Sequence, residues 1–236
     1  MNLINAIFFD LDDTLFDATG LAELARKNAI EKMIEKGLCG ITFEEGYAIL
    51  KEIVSEYGSN FTKHFDMFLQ RLDCYSTKLV SAAIIAYHEV KVDEIKLYPD
   101  VLGFLKKVTE NFGCKLGIIT DGLPIKQYEK ILRLNLDEFI EDVYISDEIG
   151  IRKPNPKLFT TALERSGIEP GNSLYIGDHY HNDVLPAKKI GMQTCLIHRK
   201  GKHDIILDEE MGANIDYEVS DLDELWDLLV PSLKST

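Results

Sequence analysis

Asn5-Ala6-Ile7-Phe8-Phe9-Asp10-Leu11-Asp12-Asp13-Thr14-Leu15 opens this chain. The apolar run Ala6–Phe9 ends abruptly in three carboxylates and a threonine. A short apolar run bounded by polar residues reads as a buried strand, so residues 5–10 are expected to form one. Carboxylates held close together repel one another. A cluster of them at the carboxyl end of a strand points to a bound cation, a shared proton or both.

Beyond this strand the pattern changes twice. From about Gly20 to Val92 the apolar residues recur at helical spacing: Leu21, Leu24 and Ala25; Tyr47, Leu50, Val54 and Tyr57; Phe61, Phe65, Phe68, Leu69 and Leu72; then Leu79 to Tyr87. This is a helical block with little strand character, its aromatics placed as core. After Pro99 the chain alternates. Helices are expected over Val101–Asn111, Pro124–Leu134, Pro156–Ser166, His181–Ile190 and Leu222–Leu229. Strands are expected over Lys115–Ile119, Asp142–Ser146, Ser173–Ile176, Gln193–Ile197 and near Tyr217–Val219.

Strands alternating with helices imply right-handed crossovers and an α/β fold, with a doubly wound, mostly parallel sheet covered on both faces. In such sheets ligands bind outside the carboxyl ends of the strands. Asp10, Thr120-Asp121-Gly122 and Gly177-Asp178 each follow a strand directly. The topology therefore brings these distant residues to one rim, and Gly177 permits close backbone approach there.

The 236 residues are 45% hydrophobic and 28% charged, the composition of an ordinary soluble globule. A formal net charge of −14 argues against non-specific nucleic-acid binding. It also requires that any anionic ligand be met by local positive charge from lysine, helix N-termini or a metal. Cys39, Cys74, Cys114 and Cys195 have no CxxC or zinc-ligand spacing. They are expected to be free, mostly buried thiols in a reducing compartment. No basic region followed by an apolar segment precedes the first strand, and no apolar run approaches the roughly 18 residues that span a bilayer. A cytoplasmic location without membrane association is expected.

The motif order is Asp10-Leu11-Asp12-Asp13-Thr14, Thr120-Asp121-Gly122, Arg152-Lys153-Pro154 and Gly177-Asp178-His179-Tyr180-His181-Asn182-Asp183. This resembles the haloacid dehalogenase superfamily, and within it the aspartate-nucleophile phosphatases with a C1 cap. The resemblance covers essentially the whole chain. It implies a Rossmann-like core from residues 1–16 and 94–236, with a helical C1 cap over 17–93. Phe16 and Asp17 would lie near a hinge. Arg26, Lys63, His64 and Arg71 are the cap side chains that could meet a polar leaving group.

By the same resemblance Asp10 is the nucleophile and a metal ligand. Asp12 is the general acid for the leaving alkoxide and then the general base for water, and its backbone carbonyl binds the metal. Thr120 offers a hydroxyl and Asp121 a backbone N–H to the phosphoryl oxygens. Many relatives carry Asn where this chain has Asp121, which alters the local charge but not the backbone donor. Lys153 is the cation that steadies Asp10 and the transferring group, whereas Arg152 faces solvent or is structural. Asp178 is the second side-chain metal ligand, and Asp183 orients Lys153 or a metal-bound water. The expected ion is Mg²⁺, which favours a few hard oxygens with waters and phosphate. His179 and His181 raise a zinc alternative, but no cysteine or third histidine has supporting spacing.

The expected activity is Mg²⁺-dependent hydrolysis of a small phosphorylated metabolite through an aspartyl-phosphate, by a monomer or homodimer. A phosphomutase or a 2-haloacid dehalogenase on the same scaffold is the alternative. A halide leaves without protonation, so a dehalogenase has no task for Asp12. A phospho-accepting signalling domain and a non-catalytic phosphate-binding protein are the readings from other classes.

Overall fold

The computed structural model describes residues 3–199, 201 and 207–233. Six strands form one sheet: β1 (Ala6–Phe9), β2 (Lys115–Thr120), β3 (Asp142–Ile145), β4 (Ser173–Gly177), β5 (Gln193–Ile197) and β6 (Tyr217–Val219). Their order is β3-β2-β1-β4-β5-β6, and every pairing is parallel. The fold is the expected doubly wound α/β architecture of Rossmann type. All four β1 residues are buried, as a strand covered on both faces requires.

Winding reverses at β1. The chain runs from β1 out to β2 and β3, then returns to place β4 on the other side of β1. Phe9 lies opposite Ile118 of β2 and Ile176 of β4. Asp10 therefore leaves the sheet between the ends of β2 and β4, at the switch point where ligands enter such sheets.

Alternating side chains of β1 divide the core. Phe8 packs on one face with Tyr144, Tyr175 and the Leu158, Phe159 and Ala162 side chains of α8 (Pro156–Ser166). Phe9 points to the other face, edge-on to Phe104 of α5 (Val101–Phe112), which in turn meets Trp226 of α11 (Leu222–Leu233). Helix α8 starts where its sequence directs: Asn155 caps the Lys157 N–H at 3.0 Å and Pro156 takes the first turn. Helix α6 (Pro124–Arg133) follows β2 and the four-residue α7 (Ser146–Ile149) follows β3; α9 (Leu185–Lys189) precedes β5 and α10 (Glu209–Gly212) precedes β6.

The chain divides into two compact units, Met1–Thr19 with Lys96–Thr236, and Gly20–Ile95. The second unit contains most of α1 (Ala18–Glu35), with α2 (Phe43–Tyr57), α3 (His64–Arg71) and α4 (Thr77–Asp93). It has its own core around Ile30, Met33, Leu50, Ile53, Phe68 and Val80. A capping box between Thr42 and Glu45 starts α2. Within the first unit the two segments bordering the insert meet: Phe16 bridges Leu97, and the Tyr98 N–H bonds the Leu15 carbonyl at 3.0 Å.

Three local expectations need correction. Strand β3 stops at Ile145, because the Ser146 side chain accepts the Gly122 N–H at 3.0 Å and its backbone turns into α7. The helix expected over His181–Ile190 is a π turn at Tyr180–Val184 followed by the short α9. The wider turn returns the Asp183 carboxylate to the His179 N–H at 3.1 Å. Of the four thiols only Cys195 is buried; Cys39 is exposed, and Cys74 and Cys114 are half-buried. No described helix is long and apolar enough to cross a membrane.

Candidate active site

Four elements converge at the switch point. Asp10 follows β1, Asp178 follows β4, Asp183 comes from the π turn, and Lys153 precedes α8. Carboxylate oxygens of Asp10, Asp178 and Asp183 all lie within 4.8 Å of one another. The Lys153 ammonium donates to Asp10 Oδ1 at 2.6 Å, to Asp183 Oδ1 at 2.7 Å and to the Tyr175 hydroxyl at 2.6 Å. Its side chain is 3% exposed. The Tyr175 hydroxyl in turn donates a hydrogen bond to the Ile119 carbonyl at 3.0 Å, which fixes the ring beneath the site.

The charges do not balance. One ammonium faces three buried carboxylates. Burial pushes the Asp10 carboxyl well above the ordinary carboxylate range; Lys153 opposes this, while Asp183 and Asp178 add to it. Asp178 is pushed up to about 7, by burial first and then by Asp183 and Asp13. Lys153 loses from burial but gains more from Asp10 and Asp183, and is held above the usual lysine range. A compact set of hard oxygens with surplus negative charge suits a dication such as Mg²⁺. Neither His179 nor His181 belongs to the grouping, so among the described residues nothing favours zinc over an oxygen-loving ion.

Thr14 locks the β1 loop to the end of β4. Its hydroxyl accepts the Asp178 N–H at 3.1 Å and lies 3.3 Å from Asp178 Oδ1, to which it donates. Asp13 supports the turn in the left-handed region, φ 61°, and its carboxylate accepts the Thr19 N–H at 2.7 Å and the Thr19 hydroxyl at 2.6 Å.

The Asp12 carboxylate lies apart from the three-carboxylate group. Lys130 of α6 donates to both its oxygens, at 2.7 and 2.6 Å, and Gln127 donates to Oδ2 at 3.3 Å. Gln127 also reaches Thr120 Oγ1 at 3.3 Å and the Asp121 carbonyl. Asp121 Oδ1 accepts the Lys153 N–H at 3.1 Å. That bond needs only an acceptor oxygen, which the Asp121 carboxylate supplies. Arg152 grips Asp147 through two bonds of 2.9 and 3.0 Å at the surface.

Of the cap candidates, Arg71 pairs with Glu52 and Glu56, and His64 bonds the Gly58 carbonyl, all inside the second unit. Lys63 precedes α3 and Arg26 is half-buried on α1. Thr14, Tyr175, Gln127 and Lys130 join the site without a role legible from the motifs. Gln127 and Lys130 carried one usable signal: they lie three apart on the helix that begins two residues after Thr120-Asp121-Gly122, and so share a face near that motif.

The chain as a whole has relatives. The family described as haloacid dehalogenase-like hydrolase matches residues 4–191. A glyceraldehyde 3-phosphate phosphatase of Pyrococcus abyssi is 51% identical over 193 residues, covering 81% of this chain and 80% of the relative. The protein of that name from Pyrococcus furiosus is 46% identical over 230 residues, covering 97% and 94%. Among solved structures, a HAD phosphatase from Thermococcus onnurineus is similar with a TM-score of 0.66 and 28% identity, over 96% of this chain and 98% of the other.

Proposed function

The chain belongs to the haloacid dehalogenase-like hydrolases, and we infer that it is a phosphatase of that family, a phosphomonoester hydrolase acting on a small phosphorylated metabolite. One arrangement supports this reading above the others: the Asp10 carboxylate at the end of β1, 2.6 Å from Lys153 and grouped with Asp178 and Asp183.

In the reaction we assign to it, an Asp10 oxygen attacks phosphorus. The new Asp10 O–P bond forms as the P–O bond to the leaving alkoxide breaks, and Asp12 gives that oxygen its proton. Asp12 then takes a proton from water as the water oxygen bonds to phosphorus. Inorganic phosphate leaves and Asp10 is restored. Lys153 and the hydroxyl of Thr120, with the Asp121 N–H, stabilise charge gathering on the phosphoryl oxygens. Mg²⁺, held by the carboxylates of Asp10 and Asp178 and the Asp12 carbonyl, would neutralise the charge that otherwise keeps a carboxylate from a phosphate dianion. Asp183 anchors Lys153. A dehalogenase needs neither Asp12 nor the surplus of metal-seeking oxygens.

We assign glyceraldehyde 3-phosphate as the substrate, because the two relatives described above carry that activity in their names. The helical unit 20–95 enters the chain between Asp10 and Thr120, and we assign it the role of a cap that selects the leaving group. The test is phosphate release from a panel of phosphorylated metabolites, with Mg²⁺ and after chelation. The expected result is metal-dependent turnover with highest kcat/KM for glyceraldehyde 3-phosphate. Preference for another metabolite would replace the substrate. Absence of turnover on every phosphomonoester would overturn the activity.

A further inference from the structure

Lys130 is the second lysine at this rim, and its surroundings differ from those of Lys153. Its ammonium is spent on three acceptors: Asp12 Oδ1 at 2.7 Å, Asp12 Oδ2 at 2.6 Å and Gln127 Oε1 at 2.7 Å. An ammonium has three protons, so none remains for a substrate oxygen while these contacts hold. The pair is partly screened from solvent, with Lys130 18% and Asp12 33% exposed. Gln127 is 2% exposed and holds the other end of the assembly against Thr120 Oγ1 and the Asp121 carbonyl. The ring of Phe16, two residues beyond Thr14, lies 5.9 Å below the Lys130 nitrogen.

We propose that Lys130 is a positioning residue that acts through Asp12, setting the orientation of its carboxylate relative to the phosphate-binding end of β2. This rests on the acid–base role assigned to Asp12 above. The physical need is specific. Asp12 sits on a loop that turns sharply at Asp13, and a free carboxylate there has several rotamers of similar energy. Proton transfer in the transition state demands one of them, within hydrogen-bond reach of the bridging oxygen. A bidentate contact to both oxygens fixes the plane of the carboxylate as well as its direction. A lysine stem is flexible, and here Gln127 Oε1 fixes it by accepting the third N–H. Gln127 and Lys130 thereby tie Asp12 to Thr120, so the proton-transfer group and the phosphate cradle are held at one spacing. Oδ2 also accepts from Gln127 at 3.3 Å, whereas Oδ1 keeps a second lone pair for water or substrate.

A mutant cycle separates action through Asp12 from a general structural role. Lys130→Met and Lys130→Arg are made in the native chain and in an Asp12→Ala background. Each protein is assayed with glyceraldehyde 3-phosphate and p-nitrophenyl phosphate at saturating Mg²⁺, and its thermal melt is recorded. In the native background Lys130→Met is expected to lower kcat about tenfold or more on the alkyl phosphate, part of the roughly 10²–10⁴ that a general acid–base group supplies. The loss on the aryl phosphate, whose leaving group needs less protonation, should be smaller. In the Asp12→Ala background the same change should cost almost nothing, and Lys130→Arg should restore most of the loss by offering a two-pronged donor. Equal losses in both backgrounds, or a rise in KM with kcat unchanged, would overturn the proposal. Turnover by the native protein with such equal losses would sink positioning alone. No turnover by the native protein on either ester would sink the phosphatase reading, and positioning with it.

Discussion

Asp183 packs so tightly over Gly177 that a Cβ at position 177 would lie 2.5 Å from both Cγ and Oδ2 of Asp183. The carboxylate cannot retreat, because it is fixed by Lys153 Nζ at 2.7 Å and by the His179 N–H at 3.1 Å. Glycine at 177 is thus the condition for Asp183 to sit beside Lys153 at all. Gly177→Ala is expected to displace Asp183, free Lys153 from one of its two carboxylates and cut activity at least about tenfold. Overpacking of this kind costs about 1–3 kcal/mol of stability. Steady-state kinetics with a urea titration checks both. A Gly177→Ala variant with native rates would show that the Asp183–Lys153 contact is dispensable.

Removing the Asp10 charge should separate activity from stability. Asp10→Asn is expected to lower phosphate release by about 10³-fold or more, as loss of a covalent nucleophile does. The metal-free protein should not be destabilised, since burial already disfavours this carboxylate and Asp178 and Asp183 repel it. Enzyme assays and metal-free thermal melts decide the point. A folded Asp10→Asn protein with native-like turnover would remove Asp10 from the reaction.

Asp178 gives stability a definite pH dependence. Its value in the folded protein is raised from 3.8 to about 7. A raised value means that the folded state holds a proton which the unfolded chain has already lost. The stability linked to this group is fully present below about 4 and is lost as pH rises through about 7. Metal ions bind the deprotonated carboxylates. The rise in melting temperature caused by Mg²⁺ should therefore be larger at pH 8 than at pH 5.5, where a proton must first be displaced. Melts across this range with and without Mg²⁺ test it. A Mg²⁺ effect independent of pH would place the ion away from these carboxylates.

The rim was readable because each of its strands is a short apolar run that ends at a carboxylate or hydroxyl. Asp10, Lys153, Asp178 and Asp183, which the structure groups, all fall in motifs visible in the chain. Tyr175 was not readable. It sits in Leu174-Tyr175-Ile176 and looks like core, and only its hydroxyl, bridging Lys153 and the Ile119 carbonyl, gives it a polar task. Gln127 and Lys130 were hidden because an amphipathic helix normally turns such residues to water, and their partner Asp12 lies more than a hundred positions away. The π turn at Tyr180–Val184 was invisible because a 3.6-residue period cannot register one added residue. That residue brings Asp183 to the site.

Arg199, just past the end of β5, ties the loop after β1 to the segment that leads into α5. Its Nε donates to the Thr14 carbonyl at 3.0 Å, its Nη1 to Asp100 Oδ2 at 2.8 Å, and its guanidinium lies 4.4 Å from the centre of the Tyr98 ring. Both charges are nearly buried, at 6% and 9% exposure. Asp100 also accepts the Leu222 N–H at 2.7 Å, which anchors the start of α11. Arg199→Met removes one partner and leaves a buried carboxylate with a single donor. Breaking a buried pair in this way costs about 3–5 kcal/mol. Thr14 loses the donor to its carbonyl, and its hydroxyl is what holds Asp178. The variant should unfold at lower denaturant and need more Mg²⁺ for half-maximal rate. Replacing both partners, as in Arg199→Met with Asp100→Asn, should recover part of the stability, because no unpaired charge remains. A double variant no more stable than Arg199→Met alone would show that packing on Tyr98, and not the ion pair, is what Arg199 supplies.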